Sequence, residues 1–335
     1  MSLQKVSGGV GGHGGTVEWS TVHPDTWARR LELPTWAVIV AIYVGWGLVT
    51  WYHASLPGWV LFALGAWITC WHGSLQHETI HGHPTRSATL NMAVAWLPVG
   101  LWLPYQLYRD SHTRHHQFEE LTCPYHDPES FYIAAEDWAA MGSVRRAFWT
   151  AYNTLAGRLL LGPAVAEIKL LKAEIARVRR GDYRYIGAWL AHAVGVTVVL
   201  YWVVAVCGMN ALVYMLCFAY PGMSLTMLRS FAEHQPDEDA GGRTVVVDAS
   251  PLMGLLFLNN NLHVLHHDRP GTPWYDLPDA FRASRARLQA DGAVWIYRGY
   301  AEQFRRFLLT PKDSPVHPLA SPCAVAARSA DGAPA

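Results

Sequence analysis

The sequence predicts an all-α integral-membrane protein: four transmembrane helices in two hairpins, with a cytosolic helical cap that carries three histidine boxes. Three observations predict it. Four uncharged apolar runs, residues 34–51, 57–75, 186–207 and 210–228, are each about as long as the ~20 residues a helix needs to cross a bilayer. All Lys, Arg, Asp and Glu lie outside these runs, in segments that a two-hairpin topology collects on one side. Histidines cluster directly after the second run and in two further groups of three. With 51% apolar and only 16% charged residues in 335, composition alone would allow two soluble domains; the uncharged length of the runs decides for the membrane.

Residues 1–20 are rich in glycine and lack an apolar core behind a basic start, so they are expected to be a poorly ordered tail rather than a removable signal peptide. The membrane domain is expected to occupy 21–310. Trp36, Trp51, Trp59 and Trp71 lie toward the ends of the first two runs, where an amphipathic ring gains most from the water–lipid boundary. The hairpin loops, Ser55-Leu56-Pro57-Gly58 and Gly208-Met209-Asn210, carry no charge. By the positive-inside tendency the opposite side, with both termini and residues 77–184, is cytosolic. Arg109, Arg114 and Arg269 are read as positive-inside residues.

The run 88–105 is apolar but interrupted by Pro98, Gly100 and Pro104, and its pieces are too short to span. It is expected to be re-entrant or interfacial, which keeps the histidines on either side of it on one membrane face. Residues 134–184 mix Leu, Ile and Val at helical spacing with Lys, Glu and Arg and predict helices on the cytosolic side. Residues 311–335 are rich in Pro and Ala and are expected to form a second tail. The five cysteines, Cys70, Cys123, Cys207, Cys217 and Cys323, have no CxxC spacing, which argues against a disulfide framework, a rubredoxin-type site and attached c-type haem. Zero net charge gives no support to nucleic-acid binding.

Of seventeen histidines, nine form a pattern. His77 and His81 sit in HETIH; His112, His115 and His116 form HTRHH; His263, His266 and His267 form HVLHH; His234 follows the fourth run. Residues three or four apart share one helix face, so each box can aim two or three imidazoles at a common point. A single HxxxH recurs by chance on helices, but three boxes on one membrane face are hard to explain as hydrogen-bonded core histidines. Eight or nine nitrogens exceed the four of a structural zinc site and suit two metal ions. Imidazole alone does not name the metal. The lack of clustered Cys and Met disfavours copper(I), and no bridging carboxylate of a two-metal hydrolase is evident, which leaves a redox-active iron pair. His13, His23 and His317 fall in expected tails, His53 and His126 in loops, and His72 and His192 inside spans, where each can bond a neighbouring helix. His83 lies off the face of the first box.

These boxes, their order and their placement around two hairpins resemble the membrane fatty acid desaturase superfamily, over roughly residues 34–280. Asp127-Pro128-Glu129 after the second box, and Pro273-Trp274-Tyr275 with Leu277-Pro278 after the third, are similar to family patterns. The resemblance implies a di-iron centre held by the nine histidines. It also implies an oxygen-dependent oxidoreductase acting on a fatty acyl chain or similar lipid, and electrons from a separate ferredoxin, rubredoxin or cytochrome b5. The short first box is shared with acyl-lipid desaturases, hydroxylases and carotenoid ketolases. Hydroxylation or ketolation of an alkane, a sterol-like lipid or a carotenoid is therefore the alternative to desaturation. A haem protein or metal transporter fits less well, because the boxes lie outside the spans and leave no polar path across them. Ser230 stands where acyl-CoA desaturases carry an Asn, and Asn259 to Asn261 offer a substitute. Glu233, Asp268 and Asn261 are candidates to orient the imidazoles.

Overall fold

Uncharged runs of Leu, Val, Ile and Trp close their backbone hydrogen bonds internally by becoming helices, and helix termini fall where Pro, Gly or polar caps interrupt them. The computed structural model describes residues 26–117, 120–237, 240–290 and 294–318. After a single helical turn at Trp27–Arg30, the helices in chain order are α1 (Leu33–Trp51), α2 (Gly58–Ile80), α3 (Ala88–Ala95), α4 (Tyr105–Gln117), α5 (Ala135–Ala140), α6 (Ser143–Tyr152), α7 (Leu155–Arg179), α8 (Ile186–Val206) and α9 (Ala211–Glu233). After them come β1 (Val245–Val247), α10 (Pro251–Leu256), α11 (His263–Asp268), α12 (Leu277–Ala290), β2 (Trp295–Tyr297) and α13 (Tyr300–Phe307).

Among the described residues three helices, α1, α8 and α9, are long and apolar enough to cross a membrane. Their outward faces support this. Val40, Val44 and Leu48 on α1, and Leu190, Val194, Val198 and Tyr201 on α8, form exposed apolar stripes that a water-facing helix would not present. The remaining expected span, the second run, lies in α2, a single helix of 23 residues, so its length suffices. Its composition is weaker, because Thr69, His72 and Ser74 occupy its buried face.

The stem is built by close approach of α2 and α9. A Cβ on Gly65 would lie 2.4 Å from the carbonyl oxygen of Cys217, and one on Gly222 would lie 2.4 Å from Cβ of Thr69. Small residues at such contacts let two backbones meet, which is how helices associate where burial from water gives no drive. Gly222→Val is accordingly expected to destabilise the stem by about 1–3 kcal/mol or more, read as a lower melting temperature of the protein in detergent.

The run 88–105 breaks as its prolines require, into α3 and an irregular stretch before α4. Donors from the surrounding helices reach its neighbourhood. Tyr214 donates to the carbonyl of Val99 at 2.7 Å while accepting from Trp46 Nε1 at 2.9 Å, and His192 Nε2 donates to the carbonyl of Leu101 at 3.0 Å. Trp102 Nε1 in turn donates to the carbonyl of Ala219 at 3.0 Å. Buried non-helical backbone is tolerated only when protein groups satisfy it.

The remaining chain forms the cap. Helices α5 to α7 occupy the region where helices were expected, and β1 pairs in parallel with β2, Val246 opposite Ile296. Residues 311–318, which composition assigns to the second tail, make contacts with the rest of the fold. Residues 311–318 pack on the cap: Ile133 N donates to the carbonyl of Pro315 at 2.9 Å, Tyr132 donates to Asp313 at 2.6 Å, and Lys312 N donates to the carbonyl of Asn153 at 3.0 Å. Backbone pairing and buried tyrosine contacts order this segment despite its Pro-rich sequence. The expected N-terminal tail, and residues 319–335 of the C-terminal one, lie outside the described residues.

Candidate metal centre

Each box is positioned by the end of a helix. His77 closes α2 and His81 caps it; His112, His115 and His116 occupy the last turns of α4; His234 caps α9; His263, His266 and His267 lie on the short α11. Leu258 (φ 47°) and Asn259 (φ 55°) turn the chain into that last segment through the left-handed region. A leucine there is strained, and such strain persists only where surrounding contacts fix it. Here Asn259 donates to the carbonyl of Trp274 at 3.0 Å.

The nine histidines converge as two groups. His77, His81, His112, His116 and His266 form one; His115, His234, His263 and His267 form the other. Each HxxHH box serves both groups, for a reason in helix geometry. Successive residues are rotated by about 100°, so the first histidine lies about 40° from the fifth position and about 60° from the fourth, on opposite sides. His112 therefore pairs with His116 and leaves His115 to the second group, whereas His263 pairs with His267 and leaves His266 to the first.

In the first group His112 Nε2 lies 3.0 Å from His81 Nε2, His116 Nε2 3.1 Å from His112 Nε2, and His266 Nε2 3.0 Å from His116 Nε2. In the second, His234 Nε2 lies 3.0 Å from His115 Nε2 and 2.9 Å from His263 Nε2, and His267 Nε2 lies 3.1 Å from His263 Nε2. Metal–nitrogen bonds of about 2.1 Å at right angles place neighbouring nitrogens about 3.0 Å apart, whereas tetrahedral corners are about 3.4 Å apart. The spacing fits ions of coordination number five or six better than tetrahedral zinc.

The outer nitrogens show which electrons face inward. His115 Nδ1 is 2.7 Å from Asp127 Oδ1, His112 Nδ1 is 2.9 Å from Glu129 Oε1, His234 Nδ1 is 3.2 Å from the carbonyl oxygen of Arg243, and His263 Nδ1 is 3.0 Å from Asn260 Oδ1. Each partner oxygen accepts, so each Nδ1 carries the hydrogen and each Nε2 presents its lone pair. Lone pairs at 2.9–3.0 Å repel one another unless a metal ion or a proton lies between them. Burial, reinforced by neighbouring imidazoles, holds His81 down to about 2 and His116 and His234 down to about 3, the neutral forms that bind metal. His115 is the exception: burial works against its charge, but Glu129 and Asp127 outweigh burial and push it up to about 9.

The residues expected to orient the imidazoles are placed differently from one another. Glu233 Oε1 lies 3.5 Å from His263 Nδ1 and pairs with Arg229 at 3.0 Å. Asp268 is exposed at the end of α11. Asn261 is buried, and its amide donates to the carbonyl of Val247 at 2.8 Å. Asn260 is the asparagine against the site: its Nδ2 lies 3.1 Å from His77 Nε2 and its Oδ1 lies 3.0 Å from His263 Nδ1, joining the two groups. Ser230 meets Met227 Sδ at 4.0 Å. In the sequence Asp127 and Glu129 are only an Asp-Pro-Glu pattern; the fold sets both against imidazoles of α4. The signal in the chain is two carboxylates flanking a proline soon after a histidine box. Lys312, in the expected tail, donates to the carbonyls of Phe231 and His234 at 3.0 and 2.6 Å and so ties off the end of α9.

Among the described residues the histidines set aside stay outside both groups. His83 pairs with Glu32 at 2.6 Å, His72 Nε2 lies 3.4 Å from the Tyr43 hydroxyl, His53 Nδ1 bonds the carbonyl of Thr50 at 2.8 Å, and His317 Nε2 lies 2.9 Å from Thr122 Oγ1.

Two imidazole groups able to hold metal ions, in a chain with three helices of membrane-spanning length and composition, agree with the comparison to known families. Residues 51–299 match the family described as fatty acid desaturase. No curated protein matches the chain. The match covers well over half of the sequence and includes all three boxes and His234, and the chain belongs to the fatty acid desaturase family.

Proposed function

We propose that this protein is a membrane di-iron enzyme that uses dioxygen to desaturate a fatty acyl chain or a similar lipid, with electrons from a separate ferredoxin, rubredoxin or cytochrome b5. The observation that carries this is the convergence of Nε2 lone pairs at 2.9–3.0 Å from imidazoles whose Nδ1 hydrogens are already committed. An iron pair, when bound, supplies the redox chemistry needed to activate dioxygen and break an unactivated C–H bond. For desaturation the balance is two hydrogens from adjacent methylenes, two electrons and two protons, with dioxygen leaving as two waters.

The protein's own residues set the conditions. Nine imidazoles hold the ions, Asp127 and Glu129 fix two of them, and Asn260 fixes His77 against His263. We place α2 in the membrane beside α1 and α9, because its glycine contacts to α9 carry it to the same depth. The hairpin loops then face outward, and the cap, within a domain of residues 21–310, faces the cytosol. The metal centre lies where the stem meets the cap, within reach of a methylene from a chain lying along the stem.

The test is to purify the full chain in detergent, measure bound iron, and assay lipid products with oxygen and a reductant, against a variant with His115 and His116 both replaced by alanine. About two irons per chain, lost in the variant, with alkene formation, is the expected result. An alcohol or ketone product would replace desaturation by hydroxylation or ketolation on the same site. Zinc in place of iron in the iron-supplied protein would overturn the redox reading.

A further inference from the structure

Beyond the nine histidines, the loop that follows α4 gathers three donors of different chemistry. Glu120 Oε2 lies 2.7 Å from His126 Nδ1, and Cys123 Sγ lies 3.8 Å from the same nitrogen. All three donors fall within 4.8 Å of one another. Cys123 is buried, while Glu120 and His126 are half-buried and open a way in.

The backbone is shaped to bring them together. Thr122, a β-branched residue, is held at φ 74°, in the left-handed region that such residues avoid. Its amide donates to Asp127 Oδ2 at 2.8 Å, Cys123 N donates to the carbonyl of Glu120 at 3.1 Å, and Asp127 N donates to the carbonyl of Cys123 at 3.1 Å. The loop thus closes on itself twice and turns the thiol toward the carboxylate and the ring.

One alternative is a thiol–imidazole–carboxylate relay. Such a relay needs the acid on one ring nitrogen and the thiol on the other, so that a proton can cross the ring. Here both partners meet Nδ1, which suits three donors converging on one point. Tetrahedral zinc, with bonds of about 2.3 Å to sulfur and about 2.0–2.2 Å to nitrogen and oxygen, needs sulfur–nitrogen and nitrogen–oxygen separations of about 3.6 and 3.4 Å. The first is nearly met, and the second requires Glu120 to withdraw by about 0.7 Å, a change its side-chain torsions supply.

We propose that Glu120, Cys123 and His126 form a third metal site, distinct from both histidine groups, that binds one zinc ion with solvent as the fourth ligand and clamps the loop carrying Asp127 and Glu129. Binding displaces the thiol proton to solvent and shifts the His126 ring hydrogen from Nδ1 to Nε2, leaving the thiolate and the Nδ1 lone pair on the metal. Because Asp127 holds His115 and Glu129 holds His112, a clamp here fixes the orientation of one imidazole in each group.

Cobalt(II) distinguishes this site from the others. Thiolate–cobalt bonds absorb strongly in the near ultraviolet, and the nine-histidine centre contains no sulfur donor. The full-length protein in detergent, stripped of exchangeable metal by a chelator, is titrated with Co2+. The expected result is a near-ultraviolet band that saturates at a single equivalent, is absent in Cys123→Ser, and needs about tenfold or more cobalt in His126→Gln. In the zinc-supplied protein as isolated, one zinc is expected beside the metals of the histidine groups, and Cys123→Ser should lose it while keeping them. No band in the wild-type protein, or a band that survives Cys123→Ser, overturns the proposal. Neither result bears on iron in the histidine groups, so the two readings fail separately.

Discussion

Replacing His115 by alanine is expected to empty the four-histidine group, whereas replacing its neighbour His116 is expected to weaken the five-histidine group instead. The two residues are adjacent in sequence but rotated by about 100° on α4, and they face different ions. Without His115 the second group retains His234, His263 and His267; without His116 the first retains His77, His81, His112 and His266. The loss should therefore be the larger for His115, with one of the two ions gone and turnover lowered by more than the roughly 100-fold that removal of an outer-shell partner can cause. In the His116 variant, binding of the first ion weakens while the second is retained. Metal analysis of the two single variants, together with their product yields, checks this. Equal loss of both ions in each variant would show that the two groups do not hold separate ions.

Asp127→Asn should produce the second largest effect. The carboxylate keeps the hydrogen of His115 on Nδ1, aims Nε2 at the ion, and raises the basicity of the ring. Its removal is expected to lower affinity at the four-histidine group by about 10–100-fold. The pH dependence should change as well. In the metal-free protein His115 is pushed up to about 9, so at neutral pH it carries a second proton that an incoming ion must displace. Affinity for the ion should therefore rise with pH toward about 9, and metal uptake at pH 7 should release about one proton from this ring. In the asparagine variant the hydrogen bond and charge of Asp127 are gone while burial still opposes the charged ring, so both proton release and pH dependence should shrink. Calorimetry in buffers of different ionisation enthalpy measures this directly; an unchanged proton count would remove Asp127 from the role assigned to it. The same ion pair also stabilises the metal-free fold. A raised histidine contributes fully below its ordinary value near 6.5, and the contribution is lost as pH rises through about 9.

The Asp127 loop also explains why the C-terminal segment is ordered. His317 meets Thr122, whose amide is held by Asp127, while Lys312 bonds the carbonyl of His234 from the other side. Residues 312 and 317 thus brace one ligand of the four-histidine group and the loop that orients another. A Pro-rich stretch gives no local sign of this, because its order comes from carbonyls and hydroxyls that the rest of the cap supplies.

Local chemistry within the chain determined much of this protein. Uncharged length identified three helices long and apolar enough to cross a membrane, proline and glycine broke the run at 88–105, and histidine spacing picked out nine imidazoles that converge, because each depends on residues within a few positions of one another. The division of each HxxHH box follows from the same local rule, the rotation per residue of a helix. Tertiary structure decided the rest. It alone made α4 and α11 exchange their odd histidine, brought Asp127 and Glu129 back against α4, and chose Asn260 over its neighbour Asn261. These contacts depend on how separate helix ends meet in space. A one-residue change turns a side chain by about 100°, which no pattern along the chain records until the partners are in place.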